Sequence, residues 1–478
     1  MSELIPVIGL EIHAQLKTES KAFCSCSANY GDPPNSNTCP VCLGHPGALP
    51  VPNGKMVNMA ILAGIAAGCN ISNILKFDRK NYFYRDLPKG YQITQDQFPL
   101  CGSGLLEFES EGVSKKINIR RIHLEEDSGK SILREDGSAA VDFNRCGIPL
   151  IEIVTEPEIS SAKEAAGFYR ELRSLLIFLG ICTGDMEKGA LRCDANVSLK
   201  STSGEVFERS EIKNLNSFKN LEKAVDFEIK KQSGIVSAGG ETNPQTMLWD
   251  EANLRTLPMR SKEDSRDYRY FPEPDIPDYE IENDLIEKLR MNFPGMPMEI
   301  RKKLTGDYGI RKEFAEIISS NGEYYSFFRK ILSKELKNYN IIKTASNIFI
   351  NDLLKIIEDN GIKFSESKAD PGDIMELAQS FSENRISSNS VREVIERLAL
   401  EGGTARDIIE RGSYAQISGT SELTAIAEKI TAENPEAVEK YRSGKASILG
   451  FLIGAAMKES SGKADPKKLK KILKDLLK

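Results

Sequence analysis

Histidine is scarce. The 478 residues carry three, His13, His45 and His123, and a single tryptophan. A Ser–His or Cys–His nucleophile therefore has few bases to draw on, which narrows the hydrolytic chemistry open to the chain. Long apolar runs are also missing: the longest, around Met59–Cys69 and Ile448–Met457, fall short of the ~20 residues of a membrane helix. No membrane partner is expected. The opening MSELIPVIGLEIHAQL carries acid where a secretory leader carries Lys or Arg, which predicts a cytoplasmic protein. Repeats and low-complexity tracts are absent. Two glycine loops fail as nucleotide motifs. Ser128-Gly129-Lys130-Ser131 has the tail of a phosphate loop, but Leu124 stands where its leading glycine belongs. Gly102-Ser103-Gly104 continues to Glu107 instead of a third glycine.

What is present is ample globular chain. Hydrophobic residues make up 40% and charged residues 28%, a soluble profile with enough apolar mass for a core. The length predicts about three domains. Bases number 64 against 70 acids, a formal charge of −6, which by itself votes weakly against a nucleic-acid partner. Alternation predicts strands over Ile8–Leu16, Ile117–Leu124, Ile148–Thr155, Leu191–Lys200 and Val206–Lys213. A capping box, Ser161 with Glu164, opens a helix that should stop at Gly180. Strands without a βαβα rhythm predict an α+β fold with a mixed sheet. The breaker Asn292-Phe-Pro-Gly-Met-Pro297 ends this region, and Leu/Ile spacing then predicts helices to about Leu400, where Gly402-Gly403 intervenes. The domains so predicted are 1–293, 294–407 and 408–478.

Nine cysteines in a chain without an export signal predict a reducing compartment. Four of them, Cys24, Cys26, Cys39 and Cys42, fall as two close pairs. Paired thiolates of this kind suit a closed, structural tetrahedral zinc site, with His45 nearby as an alternative ligand. Acids form a second pattern. On the first strand Glu11, His13 and Gln15 share one face, because side chains alternate. Glu125, Glu126 and Asp127 follow His123, Glu152 interrupts an apolar run, Arg192, Asp194, Asn196 and Ser198 share a face, and Glu208 and Glu211 follow. Several acid faces in one sheet domain point to a hard-cation site, in which oxygen ligands hold magnesium against phosphate. The tail supplies a third pattern: Lys458–Lys478 holds eight lysines and three acids, a local charge of +5, suited to an RNA backbone.

Longer blocks carry a resemblance. VIGLEIHAQLKTESKAFCSCS, Cys39-Pro-Val-Cys42-Leu-Gly-His-Pro-Gly, DRKNYFYRDLPKGYQITQ (Asp78–Gln95), HLEEDSGK, DFNRCGIPLIEIVTEPEI and RDYRYFPEPDIP (Arg266–Pro277) resemble the B subunit (GatB) of the tRNA-dependent aspartyl/glutamyl-tRNA amidotransferases. The match extends from Ile5 to Gly462–Leu473. The resemblance implies a cradle-like catalytic domain, similar to glutamine synthetase and guanido kinases, over 1–293, with a zinc knuckle at 24–42. It further implies a helical domain over 294–407 and a tRNA-binding tail over 408–478. The implied protein is a cytoplasmic heterotrimer member, whose partners are the amidase (the A subunit) and a small C subunit. Its implied reaction uses ATP and magnesium to phosphorylate the side-chain carboxylate of Glu-tRNA(Gln) or Asp-tRNA(Asn). Glutamine-derived ammonia then displaces phosphate to give the amide.

Carried onto this chain, the resemblance marks Glu11, His13 and Glu126 as magnesium ligands. It adds Glu125, Glu152, Asp194 and Glu208 as further metal or substrate positions, and Lys80 and Lys89 as phosphate or acceptor-end contacts. Cys24, Cys26, Cys39 and Cys42 match the zinc knuckle. One departure is Arg85, which stands where the family's block has proline. The competing reading is a non-catalytic, zinc-stabilised tRNA-binding scaffold, which would have no use for so many clustered acids.

Overall fold

A computed structural model describes residues 4–134, 136–259, 267–333, 338–412, 414, 417, 419–460 and 462–477. Arg266 of the family-like stretch and Lys478 of the tail lie outside the described residues. The chain divides into two compact units, Met1–Met298 and Glu299–Lys478. Among the described residues no helix is long and apolar enough to cross a membrane.

The first unit is α+β. Its strands are β1 (Leu4–Gln15), β2 (Ile74–Leu75), β3 (Asp78–Asn81), β4 (Tyr91–Thr94), β5 (Gly104–Ser110), β6 (Val113–Glu126), β7 (Lys130–Leu133) and β8 (Ala139–Asp142). After these come β9 (Pro149–Thr155), β10 (Leu191–Ser201), β11 (Ser210–Lys213), β12 (Gln245–Asp250), β13 (Arg255–Pro258), β14 (Phe271–Pro272) and β15 (Tyr279–Glu280). The helices are α1 (Gly54–Ala66), α2 (Ala162–Phe178), α3 (Phe218–Ser237) and α4 (Asn283–Met291). Eight strands form one sheet in the order β13-β12-β11-β10-β1-β9-β6-β5. Its pairs are antiparallel except β11 with β12, which α3 connects as a parallel crossover.

The two faces of this sheet differ because the strands alternate. Ile8, Leu10, Ile12 and Ala14 of β1 are fully buried, as are Cys193, Ala195 and Val197 of β10. Against that apolar face α2 packs on β5, with Phe168 edge-on to Phe108, and α3 packs on β10. The opposite face carries the charged side chains. Ser161 caps α2 as expected, accepting from the Glu164 N–H, but Glu164 returns its hydrogen bond to Ser160 rather than Ser161. Gly180, in the left-handed region at φ 69°, follows the end of that helix.

Two strand expectations need correction. Val206–Lys213 is a strand only from Ser210, with Val206 making an isolated bridge to Lys200. The strand expected to stop at Leu124 runs on through Glu126. A small sheet, β14-β3-β4, lies against that extension: Gln92 donates to the Glu126 carbonyl at 2.6 Å and Thr94 Oγ1 to Glu125 at 3.4 Å.

The second unit is helical throughout its described elements. Tyr324, Phe327, Phe349 and Phe364 form one aromatic cluster at a π-helical turn, Ile348–Leu353. Toward the C-terminus, helices Thr420–Glu433, Ile448–Glu459 and Pro466–Leu476 share a core of Leu423, Ala427, Leu452, Leu469 and Leu473. The last helix is strongly amphipathic. Leu469 and Leu473 are buried while Lys467, Lys470, Lys471 and Lys474 are exposed.

Candidate functional site

Cross-strand register builds the site. Arg192 of β10, His13 of β1, Glu152 of β9 and His123 of β6 are successive partners across four strands. One row along, Asp194 faces Glu11. Side chains at paired positions lie close enough to interact directly. His13 Nε2 is 3.2 Å from Glu152, 3.3 Å from Glu125 and 4.0 Å from Glu11. His123 Nε2 is 3.5 Å from the same Glu152 oxygen. Two groups, Glu11/His13/Glu152 and His123/Glu125/Glu152, each bring one ligand atom per residue within 4.8 Å of one another. Their donors are carboxylate oxygens and imidazole nitrogens, a set open to a divalent cation.

Burial and crowding set the charges. Burial works against a charged His13, yet its hydrogen bond to Glu152 and the charges of Glu125, Glu152 and Glu11 raise it to about 9. His123 goes the other way: burial brings it down to about 4, so at neutral pH it is an uncharged ring. Burial pushes Glu125 up to about 7 against the pull of His13. Glu152 is held below the ordinary carboxylate range, because His123 and His13 outweigh its burial. Glu11 is raised by burial and then by the charge of Glu152. One face thus holds a carboxyl near neutrality, Glu125, beside one held below the ordinary carboxylate range, Glu152.

Positive charge rings this centre. Arg192 donates to Asp127 at 2.9 Å, and Gln15 Nε2 to the same oxygen at 3.0 Å. Lys213 bridges Asp194 at 2.8 Å and Glu211 at 2.6 Å. Lys80 resists its burial and is raised, chiefly by Glu125 and then by Tyr270 and Glu152.

Some expected members stand elsewhere. Glu126 faces away from Glu125, as alternation on an extended β6 demands. It pairs with Lys89 and accepts from the Ile93 N–H at 2.9 Å, so neither Glu126 nor Lys89 joins the imidazole cluster. Glu208 is exposed in the link before β11. Asp194 lies at the flank, with Lys213. The carbonyls of Ser128 and Gly129 accept from Arg145 at 3.0 and 2.6 Å, so that turn is occupied by the protein itself. His123, Asp127 and Arg192 were not singled out from the sequence as site residues. The signal was present: His123, Glu125 and Asp127 alternate, and ending the strand at Leu124 hid it.

Cys24, Cys26, Cys39 and Cys42 come together in the same first unit, all four sulfurs within 4.8 Å of one another. A tetrahedral S4 set around zinc needs sulfur separations of about 3.8 Å, so the residues fit such a metal. Cys42 is drawn down to about 4 by the hydrogen bond from Cys24, against its burial, and burial pushes Cys26 up to about 11. Lys21, fully buried, donates to the Asn37 and Phe143 carbonyls at 2.7 and 3.2 Å and lies 3.7 Å from Cys42 Sγ. A buried ammonium needs negative charge nearby, which metal-bound thiolates supply. His45 is exposed and outside this group.

Comparison with known proteins follows the same division. Residues 6–287 match the model of the GatB/GatE catalytic domain, and residues 326–477 match the GatB domain. Over 473 residues the chain is 42% identical to the B subunit of the aspartyl/glutamyl-tRNA(Asn/Gln) amidotransferase of Thermodesulfovibrio yellowstonii, covering 99% of each chain. The protein of the same name from Thermotoga maritima is 42% identical over 479 residues, 99% of this chain and 98% of its own length. That from Caldanaerobacter subterraneus is 42% identical over 472 residues, 98% of each.

The raised His13 has a consequence for stability in metal-free protein. Its folded value, about 9, exceeds the ordinary 6.5, so its contribution is complete below pH 6.5 and is lost as pH rises through 9. The urea midpoint of wild type should exceed that of Glu152→Gln at pH 6, and the gap should narrow by pH 9.5. A gap that widens with pH would contradict the assignment.

Proposed function

The chain belongs to the GatB family, and from that premise we propose that it activates and amidates the misacylated side chain in a tRNA-dependent amidotransferase. The substrate would be Glu-tRNA(Gln), Asp-tRNA(Asn) or both. The observation that carries this reading is the acid–imidazole cluster on the polar sheet face. A carboxylate at neutral pH is a poor electrophile. Transfer of the ATP γ-phosphoryl group to its oxygen creates a leaving group, and ammonia then forms the C–N bond as phosphate departs.

Glu11, Glu125 and Glu152, with His13 once the cation displaces its proton, would hold magnesium, which would supply charge neutralisation at the ATP phosphates. Of this chain's own groups, His123 remains neutral, with its Nε2 3.5 Å from Glu152. Lys80 places a cation beside Glu125 and Glu152, suited to a transferring phosphoryl group or the substrate carboxylate. Arg192, tied to Asp127, borders the same face. Both rings on this face already engage carboxylates, and glutamine hydrolysis falls to the amidase partner, the A subunit, with the small C subunit completing a cytoplasmic heterotrimer. The cradle-type kinship with glutamine synthetase and guanido kinases is part of this proposal, since phosphate transfer to a carboxylate or guanidinium is a related task.

Three tests bear on it. Glu152→Gln should reduce ATP-dependent phosphate release on misacylated tRNA at least about a hundredfold while tRNA affinity is kept. Glu126→Ala, outside the cluster, should cost much less. Equal losses, or phosphate release untouched by Glu152→Gln, would defeat the cation assignment, and tRNA binding by wild type with no phosphate release would favour a scaffold. Metal analysis of purified protein should find stoichiometric zinc, lost together with thermal stability in Cys39→Ala or Cys42→Ala. Converting Lys467, Lys470, Lys471 and Lys474 to Gln should flatten the dependence of log affinity for tRNA on log salt, by up to about 0.9 for each phosphate no longer neutralised. An unchanged slope would make the C-terminal helix merely solvated.

A further inference from the structure

Next to the acid cluster lies a patch of aromatic rings that the proposed chemistry leaves unused. Two segments supply it: Tyr82-Phe83-Tyr84-Arg85, after β3, and Tyr268-Arg269-Tyr270-Phe271, which β14 ties to β3. Asn81 stitches them, its N–H donating to the Tyr268 carbonyl at 2.9 Å and its amide to the Arg269 carbonyl at 2.8 Å. Ring contacts then run in a chain, Tyr84 to Tyr82 at 5.8 Å, Tyr82 to Tyr268 at 5.9 Å and Tyr268 to Tyr270 at 6.0 Å. All are edge-to-face.

The outer rings are open to solvent: Phe83 is 81% exposed, Tyr84 46%, Phe271 44% and Tyr270 39%. Arg85 and Arg269 between and beside them are exposed as well. Arg269 adopts the left-handed region at φ 45°, an arrangement that costs a non-glycine residue energy and that clusters at functional sites. On the inner side the patch reaches the acids through β4: the Tyr82 hydroxyl donates to Gln92 at 3.2 Å, Gln92 donates to the Glu126 carbonyl at 2.6 Å and Thr94 to Glu125 at 3.4 Å. Lys80, whose charge feels Glu125 and Glu152, sits 4.9 Å from the Tyr268 ring. The phenol of Tyr270, raised mainly by burial, also feels Glu152 and Glu125.

We propose that this tyrosine ladder, with Arg85 and Arg269, is a stacking platform for the unpaired 3′-terminal nucleotides of the aminoacyl-tRNA. Aromatic faces interleaved with arginines are the equipment of single-stranded nucleic-acid binding, because every base has a face to stack and every nucleotide a phosphate to neutralise. The inference rests on the proposed function, in which the esterified amino acid must reach the cation cluster. The nucleotides that precede it then lie next to that cluster, where the rings are. ATP offers a single base, whereas this patch spans several rings and carries cations on its outer edge.

The test uses the full-length chain in its assembled complex and an acceptor-stem RNA hairpin, with and without its unpaired 3′ nucleotides, followed by fluorescence anisotropy. Wild type should bind the overhang form about tenfold more tightly. Tyr84→Leu and Tyr270→Leu should lose most of that advantage, and Tyr84→Phe and Tyr270→Phe should keep it. Affinity for the blunt hairpin and the KM for ATP should not move. An overhang advantage that survives both Leu variants overturns the proposal. So does a KM for ATP that rises in its place, which would put the ATP base on the rings, or an equal loss on the blunt hairpin. Amidation of misacylated tRNA by wild type is read in parallel. Without it the functional reading itself fails; with it, and with ring-independent overhang binding, only the platform fails.

Discussion

The register of β1 between β10 and β9 is the constraint on which the rest of the first unit depends. Because successive side chains on a strand point to opposite faces, a slip of one residue would exchange Ile12 for His13 on the apolar side. Four buried aliphatic positions on β1 resist that slip. The same hydrophobic burial therefore sets the row Arg192–His13–Glu152–His123 and puts Asp194 opposite Glu11. No polar contact has to specify the site; the core specifies it from the other side of the sheet.

Charge in this region is balanced locally. Three carboxylates surround His13, and their combined field keeps the ring positive despite its burial, while His123, a strand away, stays neutral. Lys21 and the cysteine quartet show the same logic in sulfur chemistry, a buried ammonium set 3.7 Å from Cys42 Sγ, which its neighbours draw toward the thiolate. The paired Glu126 and Lys89 are a third case. Each centre is close to neutral as a set, which is why acids of such density are tolerated in one sheet domain.

Much of this was legible in residues. The alternation of β1 and of Leu191–Lys200 identified the faces carrying Glu11, His13, Arg192 and Asp194, and cysteine spacing identified the quartet. What single-strand periodicity lacks is the identity of the neighbour. Glu125 and Glu126 are adjacent and chemically equal, and only the continuation of β6 past Leu124, where the small sheet covers it, decides that Glu125 meets the imidazoles while Glu126 meets Lys89. Glu208 stands outside the cluster for a related reason: the residues before Ser210 have strand-like chemistry but form only an isolated bridge, Val206 to Lys200, before the strand begins. Net charge is a coarser measure. A total of −6 averages carboxylates gathered on one sheet face with lysines gathered on one helix of the other unit.

Sheet order also bears on how the molecule is made. β1 ends between two strands that are encoded about 140 and 190 residues after it. At ordinary elongation rates that wait is about ten to forty seconds. Until β9 emerges the strand has neither native neighbour, and until β10 emerges one of its edges stays open. The nascent chain must therefore be shielded from other strands until β10 emerges, which makes synthesis speed and chaperone supply determinants of yield.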